Sequence, residues 1–458
     1  MRGTKNLTEG SIIKNLLILG WPIMLANVLQ VAYQIVDMFW LGRLSTEAVA
    51  SVSLSFPILF VLISLGMGMT MAGTILVAQY RGRNDIKNID YVSAQTLQIM
   101  VFITAVLSVI GYFSAEAIVK LMGVEQSVLG PAISYLQISS IGFVFLGIYF
   151  VFQSLLRGVG DVKTPLYVVL ATVIMNILLD PIFIFGFDFI PAMGVSGAAL
   201  ATILTQGVGA LIGISVLMSG NYGIHIKKEN FGMDFALMKK ILFLGLPMSV
   251  EHTSRSLGMA IVMFLVAGFG TVAVAAFGIS TRVFSIVFIP ALGLSIANTA
   301  MVGQHFGAGK IERAEKIGKI TVALSFGMLA LAGLLCFIFS EAIAEFFIPG
   351  NLEVIKTSAE FIRIFSLSFG FIGIQLGFMG TFRGAGDTVL AMLLAICYLW
   401  ILELPIAFIL SQFTDLGVLG IMWAYPIANI IMAVIITFIF LKGNWKNKRI
   451  IEHSHAMD

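Results

Sequence analysis

The sequence predicts an all-α integral membrane fold: twelve transmembrane helices in two six-helix lobes related by a pseudo-two-fold axis along the membrane normal. Three observations predict it. Apolar and aromatic residues make up 59% of the 458 residues and charged residues only 11%, with a mean hydropathy of +1.01, far outside the range of soluble domains. Twelve apolar runs reach the roughly 20 residues, at 1.5 Å rise each, that a bilayer crossing needs. The first half of the chain recurs in the second at shifts of 223 to 226 residues. The runs lack apolar–polar alternation and are too long for tilted strands, which excludes a β-barrel.

Taken in order, the first segment, 13–38, carries Pro22, Tyr33 and Asp37, and the second, 48–79, ends at Gln79-Tyr80-Arg81-Gly82. The third is 92–116, and the fourth, 131–156, stops before the turn Arg157-Gly158-Val159-Gly160-Asp161. The fifth, 165–187, holds Asn176, Asp180 and Pro181; the sixth, 194–218, holds Ala198 and Thr202. A basic stretch follows. The seventh, 239–268, carries Pro247, Glu251 and Arg255, and the eighth, 271–303, carries Arg282. The ninth is 318–347, the tenth, 358–382, contains Gln375, the eleventh, 389–411, contains Glu403 and Pro405, and the twelfth is 417–441. Cys336 and Cys397 both fall inside segments, where packed, inert thiols are expected.

Basic residues set the topology. Of the 27 Lys and Arg, 21 fall in one set of loops and helix ends and 4 in the other, which places both termini in the cytoplasm of a multi-pass plasma-membrane protein. The net charge of +3 therefore reports topology rather than a nucleic-acid partner. The first apolar run is full length and lacks a small-residue cleavage site, so no cleavable signal peptide is expected.

The internal repeat sets the domain plan. Leu19-Gly20-Trp21-Pro22 aligns with Leu244-Gly245-Leu246-Pro247, Gln79 and Gly82 with Gln304 and Gly307, and Arg157-Gly158-Val159-Gly160-Asp161 with Arg383-Gly384-Ala385-Gly386-Asp387. Pro181 aligns with Pro405 and Gly194-Val195 with Gly417-Val418. Six helices per half put both halves in the same orientation, the plan of an alternating-access transporter that works as a monomer. The expected divisions are an N-terminal lobe over 1–220 that holds a cation-coupling site, a cytoplasmic linker over 221–238, a C-terminal lobe over 239–445 and a cytoplasmic tail over 446–458.

Asp37 and Asp180 are where function is sought, because carboxylates at bilayer depth are costly unless they work. Tyr33 and Asp37, Asn176 and Asp180, and Ala198 and Thr202 are each four apart and share a helix face, so three helices can converge on one polar pocket. Two carboxylates held close in a low dielectric cannot both ionise cheaply, so one takes a proton or the pair takes a cation. Asn176, Thr202 and a backbone carbonyl offer the neutral oxygens that Na+ would need. Val262 and Leu404 stand at the corresponding places of the second half, so the site is not duplicated.

The Pro-bearing first segment running to Asp37-Met38-Phe39-Trp40-Leu41-Gly42, Gln79-Tyr80-Arg81-Gly82, Leu156-Arg157-Gly158-Val159-Gly160-Asp161, and the pairing of Asn176-Ile177-Leu178-Leu179-Asp180-Pro181 with Gly197-Ala198-Ala199-Leu200-Ala201-Thr202 resemble the multidrug and toxic compound extrusion (MATE) transporters. The resemblance covers essentially the whole chain. It implies a secondary antiporter exporting organic cations or amphiphilic drugs in exchange for H+ or Na+, with Asp37, Asn176, Asp180 and Thr202 as the cation site and Tyr33 beside it. The wider superfamily includes lipid-linked oligosaccharide flippases, so an ion-coupled exporter of a native metabolite or lipid precursor is the alternative. Pro22, four turns before Asp37, marks a bend whose change on loading would displace cargo.

In the second half, Glu251 falls where NorM-type members carry an acid in helix seven, used with another in helix ten. Here the tenth segment has no acid over 361–382 and offers only Gln375. Glu251 is expected to pair with Arg255 one turn on, and Glu403 with Arg282; either acid could alternatively serve coupling or substrate. Arg157 and Asp161, and their copies Arg383 and Asp387, are expected to pair across tight turns. With only Arg255 and Arg282 well inside segments, cationic cargo is favoured over anionic lipid, and the 23 Met and 37 Phe suit flat, apolar, cationic compounds. No phosphate-loop pattern and no His at metal or triad spacing occur, so ATP-driven transport, an enzyme and a resident cofactor are not expected.

Overall fold

Long runs of Leu, Ile, Val and Phe leave the backbone no water to bond with in lipid, and only a helix satisfies every N–H and C=O within its own segment. The computed structural model describes residues 7–451, and all its named elements are helical. Arg2, Lys5, His453, His455 and the end of the expected tail lie outside the described residues.

Each expected segment coincides with a helix or a broken helix. These are α1 (Ile12–Leu44), α2 (Thr46–Gly82), α3 (Ile86–Leu121), α4 (Gln126–Ile141) with α5 (Phe143–Val159), α6 (Lys163–Phe185) and α7 (Val195–Ser219). The second half gives α8 (Phe235–Ala267), α9 (Thr271–Gly307), α10 (Ile311–Ile338) with α11 (Ser340–Phe347), α12 (Leu352–Ser366) with α13 (Phe369–Ala385), α14 (Thr388–Ile396) joined to α15 (Leu404–Gln412), and α16 (Val418–Lys442). Among the described residues, nine of these are long and apolar enough to span a bilayer, counting α14 to α15 as one, and the pairs α4–α5 and α12–α13 raise the number to eleven. α8 completes the set at 33 residues, its mean hydropathy held down by Glu251-His252-Thr253-Ser254-Arg255. Local chemistry sets the ends: Ser45 accepts from the Ala48 N–H at 3.1 Å, and Asp161 accepts from the N–H groups of Lys163 and Thr164, both at 3.1 Å.

Hydropathy could not show the breaks, because apolarity is continuous through them. The α4–α5 and α12–α13 pairs bend by 48° and 47°. In the second, Ser366 and Ser368 bond back to the carbonyls of Arg363 and Phe365, both at 2.7 Å, and compete with the helix ladder. Between α14 and α15, Cys397–Glu403 forms a π-helix. Pro405 cannot donate to the Ile401 carbonyl, which favours a wider turn, yet Pro181 sits in the unbroken α6, so proline alone does not dictate it.

The chain divides into two compact units, Leu25–Ser249 and Leu7–Met24 joined to the chain from Val250 onward. The start of each unit's first long helix is therefore exchanged. In the first unit, the Ser249 hydroxyl of α8 donates to the Leu65 carbonyl of α2 at 2.6 Å. In the second, Met24 of α1 packs on Gly293 of α9, where any Cβ would collide with it. The sequence repeat recurs as geometry within each unit: a Cβ on Gly158 would strike the Thr74 carbonyl and one on Gly384 the Thr299 carbonyl, so α5 lies hard against α2 and α13 against α9.

The expected ion pairs across the glycine turns do not form. Arg157 donates to Gln153 at 2.9 Å, while Asp161 caps α6. Arg383 reaches into the helices instead, and Asp387 pairs with Lys448 at 3.1 Å. The reason is that Gly160 and Gly386, at φ +88° and +91°, close the turns by backbone bonds alone and free both side chains. Cys336 and Cys397 are free thiols.

Candidate functional site

α1, α6 and α7 bring the predicted pocket together in the first unit. The Tyr33 hydroxyl donates to Thr202 Oγ1 at 2.6 Å, tying α1 to α7. One turn along α1, Asp37 is 8% exposed, and on α6 Asp180 and Asn176 are fully buried, with the Asn176 amide donating to Asp180 Oδ1 at 2.9 Å. Ala198, also fully buried, lies on the face of α7 one turn before Thr202. Asp37 and Asp180 lie within electrostatic reach of each other and of Tyr33, so the three helices form one cluster.

Its chemistry is that of an electron-rich hole. Asp37 Oδ1, Asn176 Oδ1 and Asp180 Oδ2 are buried without a hydrogen-bond donor, a state that native proteins rarely leave unexplained. Among the described residues no three His, Cys, Asp or Glu gather to hold a metal. The set here is two carboxylates with neutral oxygens, which suits a proton or a hard monovalent cation. Sequence reading missed Tyr135 of α4, buried and within electrostatic reach of both aspartates. A lone tyrosine in an apolar segment was the available signal.

Pro22 is buried inside the continuous α1, two residues before the chain passes from one unit to the other. It lies apart from the acid cluster along the helix.

In the second unit the pairings differ from expectation. Glu251 forms its ion pair with Arg383 at the end of α13 rather than with Arg255, because the freed Arg383 reaches a carboxylate that is only 2% exposed. Glu403 lies against the hydroxyls of Tyr398 and Tyr425 rather than being served by Arg282. The π-turn puts Tyr398 and Glu403 on one face at a spacing of five. Gln375 donates to Asn429 Oδ1 at 2.8 Å, and Asn429 donates to the Tyr398 hydroxyl at 3.1 Å, so a polar chain runs from α13 through α16 to Glu403. Val262 and Leu404, at the places of Asp37 and Asp180, are buried and apolar.

Comparison with known proteins bears on the whole chain. It matches the MatE family over residues 22–182 and 247–409, once in each half. It is 30% identical over 451 residues to a Bacillus subtilis (strain 168) protein described as the probable multidrug resistance protein YoeA, covering 98% of this chain and 97% of that one. A protein of Shewanella oneidensis described as an FAD transporter is 25% identical over 440 residues, 95% of each. A solved structure described as the outward-facing conformation of a multidrug resistance MATE family transporter superposes with a TM-score of 0.90 at 24% identity, covering 98% of this chain and 99% of that one, a likeness of fold. Membership of a transporter family removes the enzyme class, and the apolar spans make the protein multi-pass in a membrane. The chain belongs to the multidrug and toxic compound extrusion family of transporters.

Proposed function

We propose that the protein is a secondary antiporter of the cell membrane, with cytoplasmic termini, that works as a monomer. It exports organic cations or amphiphilic drugs in exchange for inward H+ or Na+. The observation that carries this reading is the Asp37–Asp180 cluster, with three buried oxygens lacking donors. A buried pair of like charges stabilises any cation that enters, proton or sodium, by relieving both desolvation and repulsion. Asp37 and Asp180 supply charge, Asn176 and Thr202 neutral oxygens, Tyr33 fixes Thr202, and Ala198 keeps α7 close. Because binding linkage is reciprocal, cargo that binds better without the ion is driven out as the ion enters. Pro22 leaves the Ile18 carbonyl without its helical donor, so α1 can change bend at low cost as the aspartates load. Glu251, paired with Arg383, and Glu403, beside Tyr398 and Tyr425, serve substrate binding in the second unit, with Gln375 linked through Asn429 to Tyr398.

A second reading, export of a native anionic metabolite or lipid precursor, draws on the Shewanella oneidensis relative described as an FAD transporter.

The test is efflux of a cationic dye from proteoliposomes under an imposed pH gradient or an imposed Na+ gradient. At least one of the two gradients should drive it in wild type, and that drive should be lost in Asp37→Asn and in Asp180→Asn. Efflux that ignores both gradients removes the antiport reading.

A further inference from the structure

The second unit holds a partly open cavity of about 60 Å³ lined from α8, α9, α13, α14, the π-turn and α16. That is room for about four waters, or for one carboxylate group. Its lining includes Phe284 and Phe288, whose rings stack at 5.3 Å. The polar lining is Arg255, Arg383, Gln375, Tyr398 and Asn429.

The charges around Arg255 are already committed elsewhere. Glu251 is bound to Arg383, and Glu403 lies against Tyr398 and Tyr425. Arg255 has no hydrogen bond or ion pair to a described residue and feels both acids only at longer range. Arg255 is exposed, so its guanidinium is accessible to a ligand, and its fixed fork matches a carboxylate at two points.

We infer that this cavity is a subsite for the carboxylate of an aromatic compound, with Arg255 as the recognising cation and Phe284 and Phe288 as the ring-binding wall. None of these residues belongs to the Asp37–Asp180 cluster, and the inference rests on the transport reading only for why cargo visits the cavity.

The test is equilibrium binding to the full chain in phosphatidylcholine nanodiscs with three probes of one shape: 2-naphthoate, 2-naphthalenemethanol and 2-naphthylmethylammonium. Wild type should prefer the carboxylate over the alcohol by at least about tenfold, as one charge-assisted pair gives, and bind the ammonium most weakly. Arg255→Gln should level the carboxylate and the alcohol, Arg255→Lys should keep part of the preference, and Arg282→Gln, away from the cavity, should keep all of it. Equal affinities in wild type, no saturable naphthoate binding, or an unchanged preference in folded Arg255→Gln would each overturn the subsite. If Arg255→Gln does not fold, the wild-type ranking decides alone. Loss of gradient-driven dye efflux with the preference intact would instead count against the antiport reading.

Discussion

Tyr398 and Glu403 stand five residues apart yet share one face, because the turn between them is π rather than α. Asn176 and Asp180, at the matching level of the first half, stand four apart and share a hydrogen bond of 2.9 Å in a plain α-helix. The two halves thus present an acid with a polar neighbour on helices of different pitch. Among the described residues, only the first half sets a second acid against it.

Replacing either aspartate by asparagine keeps shape and removes charge. Asp37→Asn and Asp180→Asn should each lower gradient-driven efflux by at least about tenfold, the loss of roughly 1.4 kcal/mol of coupling, without lowering the thermal midpoint. Unchanged efflux in both variants would move the coupling site elsewhere.

The Tyr33–Thr202 bond predicts a smaller effect. Tyr33→Phe and Thr202→Val should each cost about 1 kcal/mol, and the double variant no more than about the larger single loss, since both remove one bond. Fully additive losses in a double-mutant cycle of unfolding would show that the 2.6 Å contact contributes nothing.

Glu251 and Arg383 test the corrected ion pair. Removing one partner, as in Glu251→Gln or Arg383→Gln, should destabilise by about 3–5 kcal/mol, because the other charge is left buried and alone. The double variant should recover much of that. Equal destabilisation by Arg255→Gln would return the pairing to the sequence expectation.

Helix approach predicts opposite signs for two glycines. Gly384→Ala drives a methyl into the Thr299 carbonyl and should cost about 1–3 kcal/mol, whereas Gly278→Ala in α9 meets nothing within 4 Å. The latter should be neutral or stabilising by up to about 1 kcal/mol. Thermal unfolding of the two single variants checks both.

Pro22→Ala restores a backbone donor to α1 and should slow cargo release with ion binding intact. Normal transport by the variant would take Pro22 out of the mechanism.

The sequence alone determined the helices, their number and the repeat, because bilayer length and backbone satisfaction are local demands that a run of apolar residues answers by itself. It also placed Tyr33 with Asp37 and Asn176 with Asp180, since a spacing of four fixes a shared face. The tertiary structure decided what lies across the helix gaps: Tyr135 beside the aspartates, Arg383 rather than Arg255 on Glu251, and two tyrosines rather than Arg282 on Glu403. It also decided the bends and the π-turn, which leave the apolar pattern untouched. A partner is chosen by which long side chain can reach once helices pack at glycines, and no one-dimensional spacing records that distance.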